Sequence, residues 1–168
     1  WVSPWHTLPL VSARLMVSTG SVDDPADRAG LAQLTSTLWD QGTTELTSTE
    51  LAEAIDALGT SLDISSGTDL TQLSFTVESS QLADLLQLVG QLVAQPRLDE
   101  ADFQREQQLQ VSELQSGPDS VSWIARRVFP KLLYGPEHPL ASPAQGYIRT
   151  VETLTRGQVQ TFYRDRFV

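Results

Sequence analysis

The chain has 168 residues, no cysteine and a formal net charge of −10, with 21 Asp and Glu against 11 Lys and Arg. Without cysteine there is no disulfide framework, no thiolate nucleophile and no thiolate metal site, and both oxidising and reducing compartments tolerate such a chain. The negative charge repels phosphate backbones, and the cations are scattered apart from small pairs such as Arg126-Arg127, so no basic stripe for nucleic acid is present.

With 40% hydrophobic content the chain is of single-domain size, long enough to bury roughly 70% of the surface its unfolded form exposes. No run of about 18 apolar residues is available to span a bilayer; the most apolar segment, Leu82 to Val93, is interrupted by Gln87, Gly90 and Gln91. The chain starts at Trp1 without an initiator Met and stops at Val168 without a capping signal, which reads as a single subdomain, 1–168, excised from a longer protein. Periplasmic and cytoplasmic locations both stay open. An acidic surface suits cationic peptides and, more simply, solubility.

In chain order, Val11, Ala13, Leu15 and Val17 alternate with Ser12, Arg14 and Met16, which predicts a strand over 10–18. A loop over 20–28 leads into a helix from Ala29 to Trp39, with Leu31, Leu34 and Leu38 at spacings of three and four, closed near Gly42. Thr47-Ser-Thr-Glu50 is a capping box for a helix carrying Leu51, Ala54, Ile55 and Leu58, and Gly59 ends it. Ser61 to Ser65 and Leu70 to Glu78 read as two antiparallel strands joined by a turn at Ser66-Gly67-Thr68-Asp69.

Ser79-Ser80 is placed to cap a third helix whose stripe of Leu82, Leu85, Leu86, Val89, Leu92 and Val93 should face the sheet at Val11, Leu15, Phe75 and Val77. Asp99 opens a polar helix to about Gln115, and Gly117-Pro118 breaks it. A fifth helix, Asp119 to about Leu133, carries Val121, Ile124, Ala125, Val128 and Leu132 on one side, with Pro130 expected to kink or shorten it. The segment 134–146 is too rich in Pro and Gly for regular structure and reads as a long ordered loop. A short turn at 150–154 precedes a last helix capped by Thr155. The order β-α-α-β-β-α-α-α-α implies an α+β fold, an antiparallel or mixed sheet covered by several helices.

Four blocks, GSVDDPADRAGLAQLTSTLWDQGT, TELAEAIDALGTSLD, LADLLQLVGQLVAQPRLDEADFQRE and LYGPEHPLASPAQG, together resemble the insulinase, pitrilysin and mitochondrial processing peptidase family of zinc metallopeptidases, collinearly from about Leu8 to Phe167. The resemblance implies a half-domain of a clamshell peptidase, built from α/β units that close around a peptide. An active half carries H-x-x-E-H on its first helix and a later Glu ligand: two imidazoles at i and i+4 bind zinc, and the carboxylate between them takes a proton from the zinc-bound water. Here the matching positions hold Gln33, Ser36 and Thr37. An amide and an alcohol are poor ligands beside imidazole, and serine is no general base near neutral pH. Glu113 falls where the family's third ligand would sit, with Glu106 two helical turns before it. The pair reads either as remnants of the lost metal site or as two glutamates on a polar helix.

Other candidates are weaker. His138 in Pro-Glu-His-Pro has only the remote His6 for company, and is better read as a hydrogen-bonded loop histidine than as a ligand. No G-x-S-x-G elbow accompanies the serines. Trp1, Trp5, Trp39 and Trp123 read as core edges or, alternatively, as the lining of a groove. The sequence therefore points to a noncatalytic half, without catalytic residue or metal of its own. Its partners would be an active half holding the zinc and an extended peptide substrate. The alternative is a scaffold subunit with no role in proteolysis.

Overall fold

The structure is a computed structural model and describes residues 7–167. Trp1, Trp5 and His6 lie outside the described residues. The order is β1 (Leu10–Val17), α1 (Leu31–Trp39), α2 (Ser48–Ala57), β2 (Asp63–Ser66), β3 (Thr71–Glu78), α3 (Leu82–Ala94), α4 (Glu100–Ser116), α5 (Val121–Tyr134), α6 (Ile148–Val151) and α7 (Arg156–Arg166). The α+β class expected from the pattern is the one observed: an antiparallel sheet, order β1-β3-β2, with helices over one face.

Central β3 carries the alternation furthest: Leu73, Phe75 and Val77 are buried, while Thr76 and Glu78 on the other face are exposed. On that polar face Ser12 and Thr76 join hydroxyls across the sheet at 2.8 Å. Opposite, α1 is surrounded. Leu31, Leu34, Leu38 and Trp39 are at most 2% exposed, and the Trp39 ring meets Phe167 edge-on at 5.4 Å and Tyr163 at 6.1 Å. Trp39 is thus the centre of the core, not its edge.

The caps follow the local sequence. In α2, Thr47 Oγ1 accepts from Glu50 N–H and Glu50 Oε2 accepts from Thr47 N–H, the reciprocal pair that the motif implies. In α7, Thr155 and Gln158 repeat the arrangement. Ser79 and Ser80 do not cap α3. Ser79 N–H donates to Pro9 O, and the helix starts after Gln81 without a side-chain cap, because the chain leaves β3 through a turn in which Gln81 N–H bonds Glu78 O.

Two apolar assignments change. Of the α3 stripe, Leu85, Val89 and Leu92 are buried, but Leu86 is 50% exposed, one position round the helix from the contact line. Leu15 is 39% exposed, because β1 is an edge strand at the margin of the helical cover. In α5 the helix is not shortened at Pro130. It runs on to Tyr134, although Pro130 has no N–H to offer the Arg126 carbonyl one turn back. In place of the short turn expected at 150–154, a single turn of α-helix lies slightly earlier, at Ile148–Val151.

Replacing Leu85 by Ala should cost about 2–5 kcal/mol in a denaturant melt, whereas Leu86→Ala should change stability by less than about 0.5 kcal/mol. Equal losses at the two sites would show that α3 is wrongly oriented.

Candidate functional site

The helix α1 begins at Gly30, in the left-handed conformation at φ 102° and with no side chain to cap the first turn. Asp24 does so from the preceding loop: Oδ2 accepts from Gly30 N–H and Oδ1 from Ala32 N–H, both at 2.8 Å. A carboxylate suits the positive end of a helix, yet burial outweighs these bonds and pushes the Asp24 carboxyl up to about 7. In the sequence Asp24 falls within the loop 20–28. Its only signal is an acidic residue ahead of a helix that opens with glycine.

Along α1 every residue is buried except Gln33 and Thr37, which are half-buried and share one face at i and i+4. These are the positions that the family resemblance matches to imidazole ligands. Ser36, matched to the catalytic glutamate, is 1% exposed. Both hydroxyls turn back on their own helix, Ser36 Oγ donating to Gln33 O at 2.8 Å and Thr37 Oγ1 to the same oxygen at 3.1 Å. A hydroxyl used in this way satisfies itself locally.

Against α1 lies α4, whose buried side is formed by Asp102, Phe103, Glu106, Gln110 and Leu114. Glu106 is nearly buried and accepts from Arg105 Nε at 3.1 Å. Arg105 also meets Asp102 at 2.6 Å and Gln41, just past α1, at 2.5 Å. One turn beyond Glu106, the buried Gln110 amide donates to Gly30 O at 3.2 Å and Gln145 O at 2.9 Å. Glu113 shares the azimuth of Glu106 but is exposed, with only a long 3.4 Å bond from Gln145 Nε2. Of the sequence-selected residues, the structure therefore places Gln33, Ser36 and Thr37 on one helix and Glu106 on the helix packed beside it. Glu113 sits at the open end of that same seam. Among the described residues no group of three or more His, Asp or Glu is arranged to hold a metal ion.

The loop 134–146 is held to the start of α1. A Cβ on Gly146 would collide with the Ala29 carbonyl, so only glycine permits the approach. Thr150 Oγ1 donates to Ala29 O at 2.7 Å. His138 belongs to this loop; its Nδ1 accepts from Leu140 N–H at 3.1 Å, and its ring stacks on Tyr134 at 5.2 Å. Trp123 is half-buried and lies under the Arg127 guanidinium at 4.3 Å.

Residues 5–128 match the family described as insulinase (peptidase family M16), and the chain belongs to that family. It is 28% identical over 156 residues to uncharacterized zinc proteases of Mycobacterium tuberculosis and Mycobacterium leprae, covering 93% of this chain. It spans about a third, 35%, of those relatives' length. In fold it resembles the crystal structure of a peptidase M16 inactive domain from Pseudomonas fluorescens, with a TM-score of 0.87, 22% identity, and coverage of 93% of this chain and 38% of that one. A protease from Helicobacter pylori superposes with a TM-score of 0.88 at 18% identity, over 95% of this chain and 38% of that one.

Asp24 supplies a pH test. Its folded pKa is raised above the unfolded value of 3.8, so between about pH 4 and 7 the folded state holds a proton that the unfolded state has lost. Its contribution to stability should fall as pH rises through that window and level off above it. In urea melts, wild type should lose stability relative to Asp24→Asn as pH is raised from acid to neutral; a difference that stays constant or grows would contradict this. Gln110→Ala should cost about 1–3 kcal/mol, because the bonds from a buried amide to the Gly30 and Gln145 carbonyls are lost. A change within the scale of surface substitutions would show that Gln110 is dispensable.

Proposed function

We propose that this chain is a noncatalytic half-domain of a zinc metalloendopeptidase, forming one wall of a chamber and orienting an extended peptide for an active half. One observation carries the reading. On a helix otherwise buried all round, the only partly open positions are Gln33 and Thr37, where the family resemblance places the zinc-binding histidines, and neither is a competent ligand. Ser36 in the base position has no carboxylate to take a proton from water. On this reading Glu106 and Glu113 are the residue of the former metal site, and the zinc belongs to the partner half. The shared fold with the Pseudomonas fluorescens domain described as inactive supports it.

The peptide mode that fits is strand addition. Among the described residues the edge strand β1 pairs with β3 alone, leaving a row of main-chain N–H and C=O groups for an extended chain. The acidic surface favours basic peptides, with binding that weakens as salt screens it.

Purified and dialysed, the chain should hold no stoichiometric zinc and should cleave no fluorogenic peptide. A tightly held zinc, lost together with activity on Glu113→Gln, would overturn the reading. Added to an active half, the chain should lower the Michaelis constant for basic extended peptides, more so at low salt. Unchanged rates and Michaelis constants at both salt levels would favour the scaffold alternative.

A further inference from the structure

Soluble amphipathic helices bury their apolar side and show water their charges; α5 does the reverse. It has no buried residue, and Val121, Ile124, Val128, Phe129, Leu132 and Leu133 are 43–83% exposed. At 3.6 residues per turn these six form one continuous arc. The side that touches the protein is cationic and aromatic: Arg127 lies over Trp123 and Tyr147 and donates to Gly146 O, and Lys131 Nζ sits 4.9 Å from the centre of the Tyr147 ring. The arrangement anchors the helix by cation–π contacts and, among the described residues, leaves its apolar arc without cover.

Charge says what would cover it. The α5 sequence, VSWIARRVFPKLLY, carries three cations and no carboxylate, in a chain of net charge −10. Helical geometry puts Arg126 on one margin of the apolar arc and Lys131 on the other, and among the described residues neither has a carboxylate within salt-bridge distance. We infer that α5 is a docking surface for an acidic amphipathic helix of a partner protein, with large apolar side chains along one face and carboxylates on its flanks opposite Arg126 and Lys131. This inference is independent of the zinc-site reading.

Two other occupants fit less well. A second copy docked α5 to α5 would set cation against cation. An anionic bilayer attracts helices through a surplus of positive charge, whereas this chain carries a net charge of −10 that such a surface would repel.

The test titrates the whole chain against a dye-labelled helical peptide with leucines on one face and glutamates on both flanks, read by anisotropy. A control peptide replaces the glutamates with lysines. Saturable binding of the acidic peptide is expected, weaker by at least about tenfold for the control and for Phe129→Ser/Leu132→Ser. Both substituted sites face solvent, so circular dichroism and melting should be unchanged. Equal binding of the two peptides, no binding, or binding indifferent to the double variant would overturn the inference. So would self-association in sedimentation, or flotation with phosphatidylserine vesicles, that disappears in the same variant.

Discussion

The amide of Gln110 holds three segments at one point. From the middle of α4 it reaches the carbonyl of Gly30 at the start of α1 and that of Gln145 at the end of the long loop. Gly30 O also accepts from Leu34 N–H, so the amide adds a second bond there and ties the partly buried Gln145 O to the same point. Two bonds from one buried side chain of α4 thus tie the start of α1 and the end of the loop to that helix. Asp24 performs the complementary service for the N–H groups of the same helix end. Side chains from outside the helix thus bond the start of α1 alongside the main-chain bond from Leu31 N–H to Arg28 O.

With α1 so placed, the seam between α1 and α4 has a defined character. Its interior is apolar through Leu34, Leu38 and Phe103, and its margin is polar through Gln33, Thr37, Glu106 and Glu113. Glu106 is held by Arg105, which also binds Asp102 and Gln41, so the seam spends its charges on one another. Such a network keeps two helices in register without demanding a metal. On the proposed reading the family's framework persists here as architecture, with serine and threonine hydroxyls bonded within the helix where imidazole and carboxylate would project.

Sequence periodicity located every strand and, apart from the single-turn α6, every α-helix of the described chain to within a few residues, because each has its own short-range cause. The β3 alternation, the Thr47–Glu50 box and the Asp99 and Thr155 caps are local signals, and the structure uses them. Depth was less legible. Periodicity names the apolar side of a helix, not what lies against it, so Leu86 and the α5 stripe look like core in the sequence and meet solvent in the fold. Conversely, nothing local marks Gln110 or Asp24, whose partners are far away or belong to the backbone. The positions Gln33, Ser36 and Thr37 came from family resemblance. The structure adds that Gln33 and Thr37 alone break the burial of α1.

The account turns on whether the α1–α4 seam is a metal framework stripped of its ligands. The most direct measurement is the zinc content and affinity of Gln33→His/Thr37→His, compared with wild type and with the same variant carrying Glu113→Gln. If the account is right, the double variant holds one zinc per chain through dialysis, wild type holds none, and removing the Glu113 carboxylate weakens the site sharply. A folded double variant that takes up no zinc, or a site indifferent to Glu113, would contradict it.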